Sequence, residues 1–180
     1  FVREQYMYIS QEKAFTPFAK RFLINFSNLI CRLIYETADV ISPVCDYNKR
    51  WELRFGAEPQ RVERIYNSVD TEFFQPYPKP PETERFPTVV AATRVFPLKD
   101  IETMLRAAAL VRDRIPNVRF IVYGSTTDEP EYYARCKALM EKLRLGRNFT
   151  FAGLCERSHK IYTTGDISLI SSVSEAFPFA

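Results

Sequence analysis

Apolar residues recur at intervals of three and four through Phe18, Phe22, Phe26, Leu29 and Leu33, with cations flanking them. That spacing predicts amphipathic helix, and the pattern extends back to the start of the chain. Pro17 cannot donate a backbone hydrogen bond, so it divides the segment into helices over 2–14 and 17–37. An aromatic stripe of this kind suits either a membrane surface or a packing face. The opposite side is not strongly basic, which favours the packing face. The period then changes. Residues 40–44 form a short apolar run expected to be a buried strand. Asp46 is placed to cap a helix over 47–55 that stops at Gly56. Residues 61–66 read as a second strand, and 67–70 as a turn.

Prolines 76, 78, 80, 81 and 87 crowd into residues 75–87, the clearest linker in the chain, extended rather than floppy. Beyond it the pattern is regular. Strands are expected over 88–92, 118–123, 149–151 and 167–170, and helices over 100–115, 131–145 and 159–163. Asp128 is expected to cap the second of these helices, with Pro130 in its first turn and Glu131 three residues on. Strands alternating with helices predict an α/β fold with a parallel sheet covered on both faces.

Charge and cysteine usage narrow the function classes. The 180 residues carry a net charge of +3 with both signs interspersed, so no basic stripe points to nucleic acid. Cys31, Cys45, Cys136 and Cys155 have no CxxC spacing and are expected to be free thiols. The lone His159 has no partner at ligand spacing, so no metal site is predicted. No uncharged apolar run reaches membrane-spanning length. The chain starts at Phe1, without Met, and stops at Ala180 where a loop begins. It is expected to be an internal piece of a longer protein, inactive and poorly soluble on its own.

The candidate chemistry lies where two predicted strands end. Arg94 and Lys99 follow the strand over 88–92, and Glu175 follows the strand over 167–170. In an open parallel sheet, ligands bind just beyond the carboxyl ends of the strands. A guanidinium at such a point can fork onto phosphate oxygens. Lys99 is expected at a helix start, where a cation opposes the dipole unless an anion sits nearby. Glu175 can accept hydrogen bonds from sugar hydroxyls. Two cations and a carboxylate therefore suit a diphosphate joined to a polyhydroxylated group, a nucleotide-sugar. Surface cations and a helix-capping acid are the plain alternatives. Gly124, in a polar loop lacking GxGxxG, and Gly153 can each bring backbone close to a ligand or form ordinary turns.

The order of these features carries a resemblance. Arg94-x4-Lys99, then Gly124, then Phe151-x-Gly153, then Ser172-x-x-Glu175-Ala176-Phe177-Pro178 resembles the second domain of retaining GT-B glycosyltransferases of family four. Tyr66-Asn67-Ser68-Val69-Asp70 is similar to that family's turn before the linker. Within the family, the segments 94–101, 128–132, 172–176 and 46–53 most resemble the PelF type, which builds extracellular polysaccharide.

The resemblance implies a GT-B fold made of parts of two Rossmann-like domains. Residues 1–74 would be the later part of an acceptor-side domain, 75–87 the linker, and 88–180 the front of a donor-binding domain. It implies transfer of a hexose from a nucleotide-diphosphate sugar, UDP-glucose foremost, to a growing polysaccharide with retention. Arg94 and Lys99 would grip the diphosphate and stabilise the leaving group, and Glu175 would meet the transferred sugar. Gly124 adds to the donor contacts. Gly153 and Leu154 would lie against the base, and the backbone of Phe177, Pro178 and Phe179 against sugar and phosphate. No cofactor and no metal are expected. The implied partners are the donor, a glycan acceptor and an inner-membrane polysaccharide export complex. The implied location is the cytoplasm or the inner face of the membrane. The family's second Glu, eight residues after Glu175, falls beyond Ala180. Thr93 and Ser68 replace glycines usual in the family. The rivals are a GT-B-fold nucleotide-sugar epimerase and a non-catalytic protein that binds nucleotide-sugar.

Overall fold

The structure is a computed structural model that describes residues 16–76, 78, 81, 85–175, 177 and 178. The helix expected over 2–14 lies outside the described residues. The chain divides into two compact units, Phe1–Ser68 with Ala176–Pro178, and Val69–Glu175 with Phe179–Ala180.

The first unit begins with helix α1, Pro17–Thr37. Thr16 caps it, its Oγ1 accepting from the Ala19 amide at 3.2 Å, and Pro17 opens it where no donor is needed. Its aromatic stripe is exposed: Phe18, Phe22, Phe26, Leu29 and Leu33 all face solvent. This corrects the expectation of a buried packing face. The small core of this unit is Ile41, Ala57 and Val62, and it meets the helix through Tyr35 instead. Helix α2, Asp46–Arg54, is capped by the Cys45 Sγ at 3.5 Å from the Asn48 amide, not by Asp46. Asp46 sits one residue inside, where its charge favours the helix start, and it pairs with Arg64 at 2.5 Å.

The two strands expected in this unit reduce to one parallel bridge, Ile41 to Val62, among the described residues. The Ile41 amide donates to Arg61 O at 2.8 Å, and the Glu63 and Ile65 amides donate to Ile41 O and Pro43 O, each at 3.0 Å. The missing bond is the one that residue 43 would donate. Proline has no N–H, so the ladder is interrupted there.

The second unit is α/β. Its strands are β1 (Thr88–Ala92), β2 (Arg119–Tyr123), β3 (Phe149–Gly153) and β4 (Ile167–Ser168). The helices between them are α3 (Ile101–Arg112), α4 (Pro130–Lys142) and α5 (Ser158–Thr164). All pairings are parallel, and the order across the sheet is β3-β2-β1-β4. Ile101, Met104, Leu105, Ala108 and Ala109 form the inward stripe of α3. They pack with Phe120 and Val122 of β2 and with Phe149 of β3. Asn148 is buried and satisfied, its side-chain amide donating to Pro116 O and Val118 O at 2.8 Å. Among the described residues, no helix is long and apolar enough to cross a membrane.

Helix α4 also corrects an expectation. Its N-cap position is Glu129, which makes no side-chain cap, while Asp128 turns its carboxylate toward Arg94 and Ser125.

Close packing of backbone is sharpest at Gly124, after β2. A Cβ there would lie 2.1 Å from Thr93 O and 2.5 Å from Thr93 C, which are main chain and cannot swing aside. Gly146, by contrast, has nothing within 4 Å of such an atom. Gly124→Ala is expected to destabilise the protein by about 1–3 kcal/mol in urea titration. Gly146→Ala should fall within about 1 kcal/mol of the parent. Equal effects at both positions would contradict the close approach.

Candidate functional site

Because every strand of the second unit is parallel, the four strand exits share one end of the sheet. The chain passes from β1 outward to β2 and β3, then returns to set β4 on the other flank of β1. The exits of β1 and β4 therefore diverge from a topological switch point, the usual crevice of an open parallel sheet. Residues 93–99 leave β1 and residues 169–175 leave β4 at that point.

Hydrogen bonds hold these exits together. The buried Val95 donates its amide to Ser125 O at 2.8 Å, tying the β1 exit to the β2 exit. The Val173 amide donates to Leu98 O at 2.9 Å, and Ser171 Oγ donates to Lys99 O at 2.8 Å, tying it to the β4 exit. Lys99 and Glu175, distant in sequence, meet at 2.5 Å, with side chains only 21% and 25% exposed. Burial pushes the Glu175 carboxyl up, but hydrogen bonds from Lys99 and Ser172 and the Lys99 charge outweigh it. The carboxyl is held below its ordinary value.

Lys99 stands immediately before Asp100, the N-cap residue of α3. It ends a 3-10 turn, Pro97–Lys99, and Asp100 intervenes in the left-handed region at φ 46°. The first amides of α3 are already engaged. The Ile101 amide donates to the Tyr132 hydroxyl at 2.9 Å, and the Thr103 amide donates to Asp100 Oδ1 at 3.2 Å. This helix start is capped by protein groups, so the expectation that it offers them to a phosphate does not hold for these two.

Arg94 is set differently. Its side chain is 61% exposed, contacts Asp128 at 3.3 Å, and lies over the Phe96 ring at 5.7 Å. Ser125 donates to the other Asp128 oxygen at 2.6 Å. Gly124 donates its amide to Gly153 O at 2.8 Å. Gly153 has φ 74° and open space where a side chain would be, and Leu154 beside it is 81% exposed. Phe177 and Pro178 belong to the first unit, where Phe177 O accepts from the Asn67 side-chain amide at 2.7 Å and its ring meets Tyr66. Phe179 lies outside the described residues. Asp128 and Tyr132 are polar groups that sequence reasoning did not assign to this site, while Ser171 and Ser172 lay in the expected strand exit without an assigned partner.

Residues 73–180, more than half of the chain, match the family described as glycosyl transferases group 1. The chain belongs to the group 1 glycosyl transferases. Residues 1–60 match a second family, described only as a domain of unknown function. The putative glycosyltransferase EpsD of Bacillus subtilis is 29% identical over 132 residues, 68% of this chain and 33% of that protein. The alpha-galactosylglucosyldiacylglycerol synthase of Streptococcus pneumoniae is 28% identical over 176 residues, 88% of this chain and 42% of that protein. The chain thus spans about a third to two-fifths of the length of these curated relatives. Among solved structures, HepE from Anabaena, in complex with UDP and glucose, superposes with a TM-score of 0.72 at 16% identity. That likeness covers 84% of this chain and 43% of HepE, and it shows the fold. The α/β architecture with a parallel sheet is that of GT-B glycosyltransferases.

In this group 1 glycosyl transferase the Lys99–Glu175 pair has a definite pH signature. A depressed carboxyl stabilises the fold fully above its ordinary range, and that contribution is lost as pH falls through the lowered value. Lys99→Ala should therefore raise the Glu175 value, lower stability near neutral pH and flatten the acid-side loss, so that parent and variant profiles converge at low pH. Urea midpoints measured from about pH 3 to 7 test this. Superimposable acid edges in parent and variant would show that the pair does not contribute.

Proposed function

We propose that this chain is the donor-gripping portion of a retaining hexosyltransferase that moves sugar from a nucleotide-diphosphate sugar, UDP-glucose foremost, to a polysaccharide acceptor. The observation that carries the reading is the meeting of Lys99 and Glu175 at 2.5 Å across the switch point, beside the β1 exit that bears Arg94. A cation and a carboxylate side by side can serve two adjacent ligand parts, an anionic leaving group and a hydroxyl-bearing sugar. The family match and a neighbouring fold solved with UDP and glucose support the same donor chemistry.

In this reading Lys99 and Arg94 take the diphosphate and neutralise the charge that develops as the glycosidic bond breaks. Such positioned cations supply electrostatic stabilisation without reorganisation at the moment of reaction. Glu175 accepts hydrogen bonds from the hexose. Gly124, Gly153, Leu154, Phe177, Pro178 and Phe179 are carried as donor contacts on the family resemblance alone. Residues 1–74 would be the later part of the acceptor-side domain, joined through 75–87 to a donor-binding part over 88–180. The PelF-type role in exopolysaccharide synthesis, with an export complex at the membrane as partner, rests on the same resemblance. Arg94 and Lys99 are the groups offered to the diphosphate charge, so the reading asks for no metal.

Calorimetric titration of the intact protein with UDP tests the diphosphate grip. Arg94→Ala and Lys99→Ala should each weaken binding by about 10- to 100-fold, the loss of one charge-assisted hydrogen bond. Unchanged affinity in both would reduce them to surface cations. Glu175→Gln should weaken UDP-glucose much more than UDP, and equal losses for the two ligands would place Glu175 in a purely structural role.

A further inference from the structure

The segment 128–132 has a buried member that the donor reading leaves unused. Tyr132, on the first turn of α4, is 5% exposed, and its hydroxyl accepts from the Ile101 amide at 2.9 Å. Ile101 is fully buried, so this amide has no recourse to water. It belongs to the peptide unit that follows Asp100, and Asp100 follows Lys99. A non-glycine residue in the left-handed region persists only where its surroundings over-determine it. Here the determinants are visible on both sides. Ser171 from the β4 exit holds the Lys99 carbonyl, the Asp100 carboxylate closes on the Thr103 amide, and Tyr132 holds the Ile101 amide from behind. Arg135, one turn along α4, adds an ion pair to Glu102 at 2.6 Å and lies over the Tyr132 ring.

We propose that Tyr132 is a positioning residue for Lys99: its hydroxyl, by holding the Ile101 amide, fixes the left-handed turn at Asp100 that aims the lysine at Glu175. Tyr132 touches no ligand in this scheme. It acts through the backbone of the turn. If the hydroxyl is removed, the buried amide loses its partner, Asp100 is free to leave the left-handed region, and the Lys99 side chain is no longer directed across the switch point. The identity of the ligand rests on the donor reading above, whereas the aim of Lys99 does not.

Tyr132→Phe deletes the hydroxyl and keeps the ring. The decisive measurement needs no ligand: carboxyl-carbon NMR titration of Glu175 in the intact protein, for the parent, Tyr132→Phe, Lys99→Ala and the double variant. The carboxyl should titrate at higher pH in Tyr132→Phe than in the parent, toward its position in Lys99→Ala. In the double variant it should not move beyond Lys99→Ala. A Tyr132→Phe protein whose Glu175 titrates as in the parent overturns the proposal, and so does an added shift in the double variant. Should Tyr132→Phe fail to fold, replacing Ile101 by its α-hydroxy acid removes the same N–H and leaves the ring packed, with the same outcomes expected. UDP affinity gives a second arm. Tyr132→Phe should weaken UDP by about 3- to 10-fold in the parent background and not at all in Lys99→Ala. Absence of UDP binding in the parent would sink the donor reading and leave the titration to decide the role of Tyr132. An equal loss in both backgrounds would make Tyr132 merely structural.

Discussion

Strand β1 is bonded in parallel on both flanks, to β2 over five residue pairs and to β4 over two, and the placement of every candidate group in the second unit follows from that. Parallel pairing sends all strand exits to one end of the sheet. Pairing on both flanks makes β1 the strand where the winding reverses. The exits of β1 and β4 then part from neighbouring points with their polar residues facing a common space. Gly124 lets the β2 exit come against the Thr93 backbone, and the Val95 amide closes the junction on Ser125 O. The first unit shows what happens without this arrangement. There Pro43 interrupts the parallel ladder, and among the described residues no strand forms beyond the single bridge.

Both cations at this end have a carboxylate partner, but the two pairs are unequal. Lys99 and Glu175 are each about three-quarters shielded and meet at 2.5 Å. Arg94 and Asp128 meet at 3.3 Å with Arg94 mostly in water. Exposed pairs of the second kind contribute about 0–1 kcal/mol, so Asp128 restrains Arg94 only weakly. In the proposed reading a diphosphate, which concentrates more negative charge than one carboxylate, would take both cations from their partners. The Glu175 oxygens released in that exchange would be acceptors beside the newly bound anion, which is where hydroxyls of an attached sugar would need them.

Much of the second unit was legible because its signals were redundant. The inward stripe of α3 repeats at three and four, and the strand over 88–92 coincides with Thr88–Ala92. The site residues were legible as a pair of strand exits, Arg94 with Lys99 and then Glu175, but their geometry was not. Lys99 was expected at a helix start and stands immediately before the N-cap, but Asp100 there is left-handed. Nothing local in the sequence marks that turn, since the groups that hold it, Ser171 and Tyr132, come from other elements. Asp128 looked like a cap because its spacing to Glu131 fits one. A tertiary partner, Arg94, took the carboxylate instead. The stripe on α1 shows the converse limit: periodicity establishes an apolar face, but what covers it depends on elements that periodicity does not supply.

The contrast between Lys99 and Arg94 bears on how such a site would act. A group that is already ordered gives up less conformational freedom when a ligand arrives, and long cationic side chains have much to give up. Lys99 is ordered by Glu175, by the turn at its own carbonyl and by the capped helix beyond it. Arg94 is anchored at its backbone, next to the buried Val95, while its guanidinium is mostly in water over Phe96 and meets only the exposed pairing with Asp128 at 3.3 Å. Preorganised charge is the kind that lowers a barrier, because it needs no rearrangement as charge develops. In the proposed reading, an exposed guanidinium would suit capture, since its planar fork matches phosphate oxygens. The two cations that sequence spacing presents as equivalent are therefore physically unlike: Lys99 is held by a shielded carboxylate and a tied turn, whereas the Arg94 side chain is mostly exposed and only weakly paired.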